Sequence, residues 1–131
     1  MKTLLPPGWP RPKGYANGIS ARGRTIFTAG VVGWDEQERF VAPDLVGQFH
    51  QILANILDIL AEDGAGPEHI VRMTCYVVSR DEYVAGLAGI GSAWRELMGR
   101  NYPAMAVVEV SGLVEPAARV EIEATAMVPE P

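Results

Sequence analysis

The sequence holds one cysteine, Cys75, and two histidines, His50 and His69. A lone thiol cannot close an internal disulfide, so nothing points to an oxidising compartment. Neither histidine stands at a metal-ligand spacing or has a Ser or Cys partner to activate, so neither metal nor triad chemistry is expected. No apolar run approaches membrane-spanning length. The stretch from Met1 to Pro7 reaches Pro6-Pro7 after two leucines, too short for a signal-peptide core, and the expected location is the cytoplasm. Clustered positive charge is also lacking. Eleven Lys and Arg are scattered among sixteen Asp and Glu, for a net charge of -5. Such a chain repels phosphate backbones and anionic lipid, so neither nucleic acid nor a membrane is an expected partner.

What is present describes one ordinary globular domain. At 131 residues, 48% hydrophobic and 21% charged, the chain can bury a core without disulfides or metals. Residues 1–131 read as a single domain, with 1–13 as an extended lead-in, because its prolines withhold donors and fix φ. Tyr15 to Ser20 reads as a short strand forming a hairpin with a better strand, Arg24 to Val32. From Asp44 to Asp63, Leu45, Phe49, Ile52, Leu53, Ile56, Leu57 and Leu60 form one helical stripe, with Asp44 as N-cap and Gly64 as stop. Ile70 to Val78 is a strand. Ser79-Arg80-Asp81-Glu82 is a capping box that opens a helix to about Met98, locally weakened by Gly86, Gly89 and Gly91. Ala104 to Val110 and Arg119 to Val128 are the closing strands. The order ββαβαββ predicts an α+β fold, a mixed sheet with two helices on one face.

Strand alternation then assigns faces. Val120, Ile122, Ala124, Ala126 and Val128 belong under the helices, as do Val71, Met73, Cys75 and Val77, and Ala104, Ala106, Val108 and Val110. Arg72, Thr74, Tyr76, Met105, Val107, Glu109, Glu121 and Glu123 take the other side. That mixed face suits either water or a partner subunit.

Three stretches carry a resemblance to the RidA (YjgF) family, whose older labels are translation inhibitor and endoribonuclease. They are Phe27-Thr28-Ala29-Gly30; Asn55 to Leu60 through Gly64 with Val71-Arg72-Met73-Thr74; and Val108-Glu109-Val110 with Val120 to Ala124. The resemblance spans Tyr15 to Val128. It implies a chorismate-mutase-like fold and a homotrimer with small-molecule pockets between subunits. It also implies hydrolysis of reactive imines and enamines, such as 2-aminoacrylate, with no metal or cofactor. Tyr15 and Gly30 match pocket positions, and Glu121 matches the water-positioning glutamate. The carboxylate-anchoring arginine belongs to a Pro-Ala-Arg-Ser pattern that reads Pro103-Ala104-Met105-Ala106 here, so Met105 takes its place. Ala29 replaces a Ser, Val31 a Gln, and Val107 a Cys or Ala. Met cannot grip a carboxylate as a guanidinium does, and these changes make the pocket more apolar.

Each residue carries a second reading. Glu121 orients water or forms an ion pair with Arg72 or Arg119. Tyr15 contacts ligand or packs at an edge, and Met105 lines the pocket. Arg72 replaces the missing arginine or pairs internally with a Glu. Cys75 is a small buried apolar residue. Trp34 and Asp35 gate the pocket or build a turn. The expected function is a divergent imine or enamine hydrolase acting on a molecule less acidic or bulkier than 2-aminoacrylate. The alternative is a non-catalytic small-molecule-binding or sensing trimer. A nuclease or translation inhibitor comes third and is opposed by the acidic charge.

Overall fold

In a computed structural model of the protein, residues 1–130 are described. The strands are β1 (Lys2–Leu4), β2 (Gly18–Ser20), β3 (Arg24–Phe27), β4 (Val31–Val32), β5 (Ile70–Val77), β6 (Ala104–Glu109) and β7 (Val120–Val128). The helices are α1 (Leu45–Ala61), α2 (Arg80–Ala85) and α3 (Leu87–Met98). The main sheet has five strands. β3 and β4 pair in turn along one edge of β7, followed by β5 and then β6. Only β5 and β6 are parallel. A parallel pair needs a crossover, and α2 with α3 supplies it.

The apolar stripe of α1 is the centre of the core. Leu45, Phe49, Ile52, Leu53, Ile56 and Leu60 are fully buried against Met73, Cys75 and Val77 of β5 and Val120, Ile122 and Ala124 of β7. Asp44 caps α1 by accepting from the Gly47 N–H at 3.1 Å. Ser79 caps α2 by accepting from the Glu82 N–H at 3.1 Å. No helix among the described residues is long and apolar enough to cross a membrane.

Four local expectations are corrected. The segment leading into β3 does not form a hairpin with it. β2 pairs antiparallel with β1 in a separate two-stranded sheet, so Lys2–Leu4 of the lead-in is a paired strand. Leu4 packs on Gly18 across that pair. The main sheet begins instead at Arg24, just after Gly23, where at φ 145 the backbone lies so close to the Val128 carbonyl that no side chain fits. The single strand expected from Arg24 to Val32 is broken into β3 and β4. At the break, Thr28 Oγ1 accepts from the Ala124 N–H at 2.9 Å and continues the pairing with a side chain. The second helix is divided at Gly86. A β-carbon there would lie 2.7 Å from Val46, and one at Gly89 would lie equally close. These two glycines let α1 approach. Finally, the pairing of β5 with β7 shifts register between Ile70 and Arg72. Ile70 is buried there and Val71 only partly so, because the bulge reverses the alternation at that point.

Candidate functional site

The side of the sheet away from the helices carries Glu121, which lies in register with Tyr76 of β5 and Val32 of β4. Gly30 sits directly over the Glu121 carboxylate, and a side chain at position 30 would collide with it. The glycine thus leaves room for the carboxylate in its present position, which a side chain there would push aside. Among the described residues, no side-chain hydrogen bond or ion pair engages Glu121. Arg119, one of its two expected partners, donates instead to Glu82 Oε1 from Nε at 2.9 Å and Nη2 at 2.7 Å. The other, Arg72, is exposed and makes no ion pair with a described residue. Tyr76 donates to Glu123 at 2.7 Å. That bond holds the phenol above the usual tyrosine range, with desolvation and the Glu123 and Glu121 charges adding to the shift.

A polar row on α1 places this half of the site. Gln48 is completely buried, and all its polar atoms are satisfied. Nε2 donates to the carbonyls of Ala42 and Ala117 at 3.0 Å each, and Oε1 accepts from the Arg119 N–H at 2.7 Å. Gly33 packs so tightly on Gln48 that a β-carbon would lie 2.8 Å from its backbone. Two turns further along, Asn55 donates to the Val32 and Trp34 carbonyls at 3.3 and 2.8 Å. These bonds hold β4, and with it Gly30, in place over Glu121. The apolar periodicity of α1 gave no sign of this second role. Beyond β4, Trp34 meets Phe40 edge-on. Asp35 accepts from the Gln37 and Arg39 N–H groups, so both residues build a closed turn. Those backbone bonds, Arg39 first, lower the Asp35 pKa.

The other half of the site is a cavity of about 330 Å³ between the β6 edge, α1, α3 and the chain before β2. Tyr15, Met105 and Val107 line it together with Lys13, Phe49, Tyr83, Leu87, Ile90, Gly91, Trp94, Arg95 and Tyr102. Trp94 and Tyr102 are stacked at 6.0 Å, 4° from parallel. Of the expected site residues, the structure brings Tyr15, Met105 and Val107 together here, and Gly30 and Glu121 together on the sheet face. Val31, in register with Ile122, packs against the core instead.

This separation corrects the face assigned to β6. Met105 pairs with Met73 and Val107 with Cys75, which places both on the helix-covered side. Ala104, Ala106 and Val108 share the open side with Arg72, Thr74 and Tyr76. Both alternating sets of β6 are apolar, so alternation could not choose between them, and only pairing with β5 does. Glu109 follows the same logic and accepts from the Arg80 N–H at 2.7 Å at the start of α2. Arg72 therefore projects from the face opposite Met105 and does not stand in for an arginine at that position.

An α+β sheet with helices on one face and a cavity at its parallel edge defines a chorismate-mutase-like domain. Residues 10–128 match the family described as endoribonuclease L-PSP, and the chain belongs to that family, the RidA (YjgF) group. A RutC family protein of Pyrococcus abyssi is 33% identical over 106 residues, covering 79% of this chain and 80% of the relative. A RutC family protein of Synechocystis is 30% identical over 131 residues, with 98% of each chain covered. Among solved structures, a Rid family protein of unknown function from Yersinia pestis superposes with a TM-score of 0.83 at 32% identity, over 97% of this chain and 98% of its own.

Proposed function

We propose that the protein is a divergent RidA-type hydrolase of imines or enamines, working as a homotrimer without metal or cofactor. Glu121 positions the attacking water. Tyr15, Met105 and Val107 contact the substrate, and Gly30 shapes the approach to Glu121. The observation that carries this reading is the carboxylate of Glu121, half-buried beneath Gly30 and held by no arginine among the described residues. A group committed to an ion pair would be poorly placed to orient water. A purely binding trimer, the alternative reading, has no use for such a carboxylate.

Because Glu121 and the Met105 cavity lie on opposite sides of one sheet, the complete site needs a second copy of the chain. The open face fits such a role. Phe27 is 73% exposed on it and Val108 42%, and apolar exposure of this kind marks interfaces. Met105 offers no grip on a small acid, so 2-aminoacrylate is not the substrate. The test generates imines from a range of amino acids with an amino-acid oxidase and follows their hydrolysis. Glu121→Gln should abolish turnover while leaving ligand binding in place. Unchanged turnover in that variant removes Glu121 from the mechanism.

A further inference from the structure

The cavity beside Met105 has a charge pattern opposite in sign to the net charge of the chain. The chain carries sixteen acidic and eleven basic residues, yet among the described residues the only charged ones lining this cavity are Lys13 and Arg95. Three other arginines are paired within the described residues: Arg24 with Asp63, Arg39 with Asp35, and Arg119 with Glu82. Arg95 has no such partner, although Glu96 follows it directly. That glutamate contacts His50 Nε2 at 2.7 Å instead.

Gly91 explains where the Arg95 side chain goes. Helical side chains lean back toward the N-terminus and cover the preceding turn. Arg95 does so, and its Nη1 would lie 3.2 Å from a β-carbon at position 91. Gly91 thus serves a different purpose from Gly86 and Gly89, which face Val46. It leaves room for a guanidinium to lie along α3 at the wall of the cavity. Met105 and the stacked Trp94 and Tyr102 line the same cavity. The Trp94 N–H is already spent on the Asn101 carbonyl at 3.1 Å, so the indole offers a ligand only apolar surface.

We propose that Arg95, assisted by Lys13, is the anion anchor of this cavity, and that its ligand is a carboxylate with an apolar body of aromatic size. The inference rests on reading the cavity as the ligand site and names the substrate class for it. The carboxylate lies at the rim, on the guanidinium, and the body points inward to Met105 and the aromatic wall. A charge-assisted grip of this kind on a carboxylate is strong and geometrically specific. A three-carbon acid would reach the cation but leave the apolar interior unfilled.

The probes are phenylpyruvate, pyruvate and 1-phenylpropan-2-one, which keeps the ring and ketone and lacks the carboxylate. Each is titrated calorimetrically into the natural protein, Arg95→Gln and Arg95→Lys. Phenylpyruvate should bind roughly tenfold or more tightly than either other probe, because each lacks one half of the recognition. Arg95→Gln should weaken phenylpyruvate by about tenfold or more and leave the ketone unchanged, with Arg95→Lys falling between. Equal phenylpyruvate affinity in the natural protein and Arg95→Gln overturns the proposal. So does equal affinity for the acid and the ketone, or no phenylpyruvate binding to the natural protein. Hydrolysis of the imine formed from phenylalanine is measured on the same samples. Arg95-dependent binding without turnover overturns the hydrolase reading and leaves the anchor standing. Turnover with binding indifferent to Arg95 does the reverse.

Discussion

Met105 lies beside Met73 under the helices, and Glu121 lies on the opposite face of the same sheet beside Tyr76. A ligand bound against Met105 therefore cannot reach Glu121 of its own chain through the sheet. The two halves can act on one molecule only if neighbouring chains bring the β6 edge of one against the open face of another.

Assembly is the first consequence to measure. Light scattering should show a trimer at micromolar concentration. Phe27→Asp should shift it toward monomer, because a carboxylate would be buried without a partner in the contact. A natural protein that stays monomeric defeats both the assembly and the shared site.

Position 105 gives a second prediction. The natural protein should turn over 2-aminoacrylate poorly. Met105→Arg should tighten pyruvate binding by up to about 1.5–3 kcal/mol, the range for a charge-assisted hydrogen bond. It should also lower stability, because a guanidinium enters a wall packed against the core and near Arg95. Pyruvate titration and urea unfolding read the two effects separately. Brisk 2-aminoacrylate hydrolysis by the natural protein would show that Met105 does not select against small acids.

The glycines of α3 should respond with opposite signs. Gly91→Ala should raise the unfolding free energy by about 0.5–1 kcal/mol, the ordinary helical advantage of alanine. Its methyl meets only the mobile tip of Arg95. Gly89→Ala should lower stability, since its methyl would lie 2.7 Å from Val46 Cγ1. Overpacking typically costs about 1–3 kcal/mol, and the β-branched Val46 yields little. Denaturant midpoints that move the same way for both variants would contradict the two assignments.

Cys75 provides a pH test. Burial pushes its thiol up to about 12 from an ordinary value of 9.0. A folded pKa above the unfolded one means that the thiol's contribution to stability is whole below the unfolded value. It is then lost as pH rises toward the folded one. Stability should therefore decline through alkaline pH, and less so in Cys75→Ala. A thiol reagent near pH 8 should label the protein only as urea unfolds it. Rapid labelling of the native chain would place Cys75 outside the core.

Much of this molecule is legible in its residues. The α1 stripe, the Asp44 and Ser79 caps, the order of the main elements and the burial of Cys75 follow from periodicity and capping chemistry, which are local. The motifs that mark the family, and the methionine at position 105, are likewise read directly. Three features depended on the folded chain. β2 takes β1 rather than β3 as its partner, because pairing between short strands is settled by what the chain packs against. The face of β6 came from its register with β5, since a strand apolar on both sides carries no alternation to read. The cavity that gathers Lys13, Arg95 and Met105 from distant segments has no sequence spacing at all. Beside it, Gly86 and Gly89 let α1 approach α3, and Gly91 leaves space for the arginine.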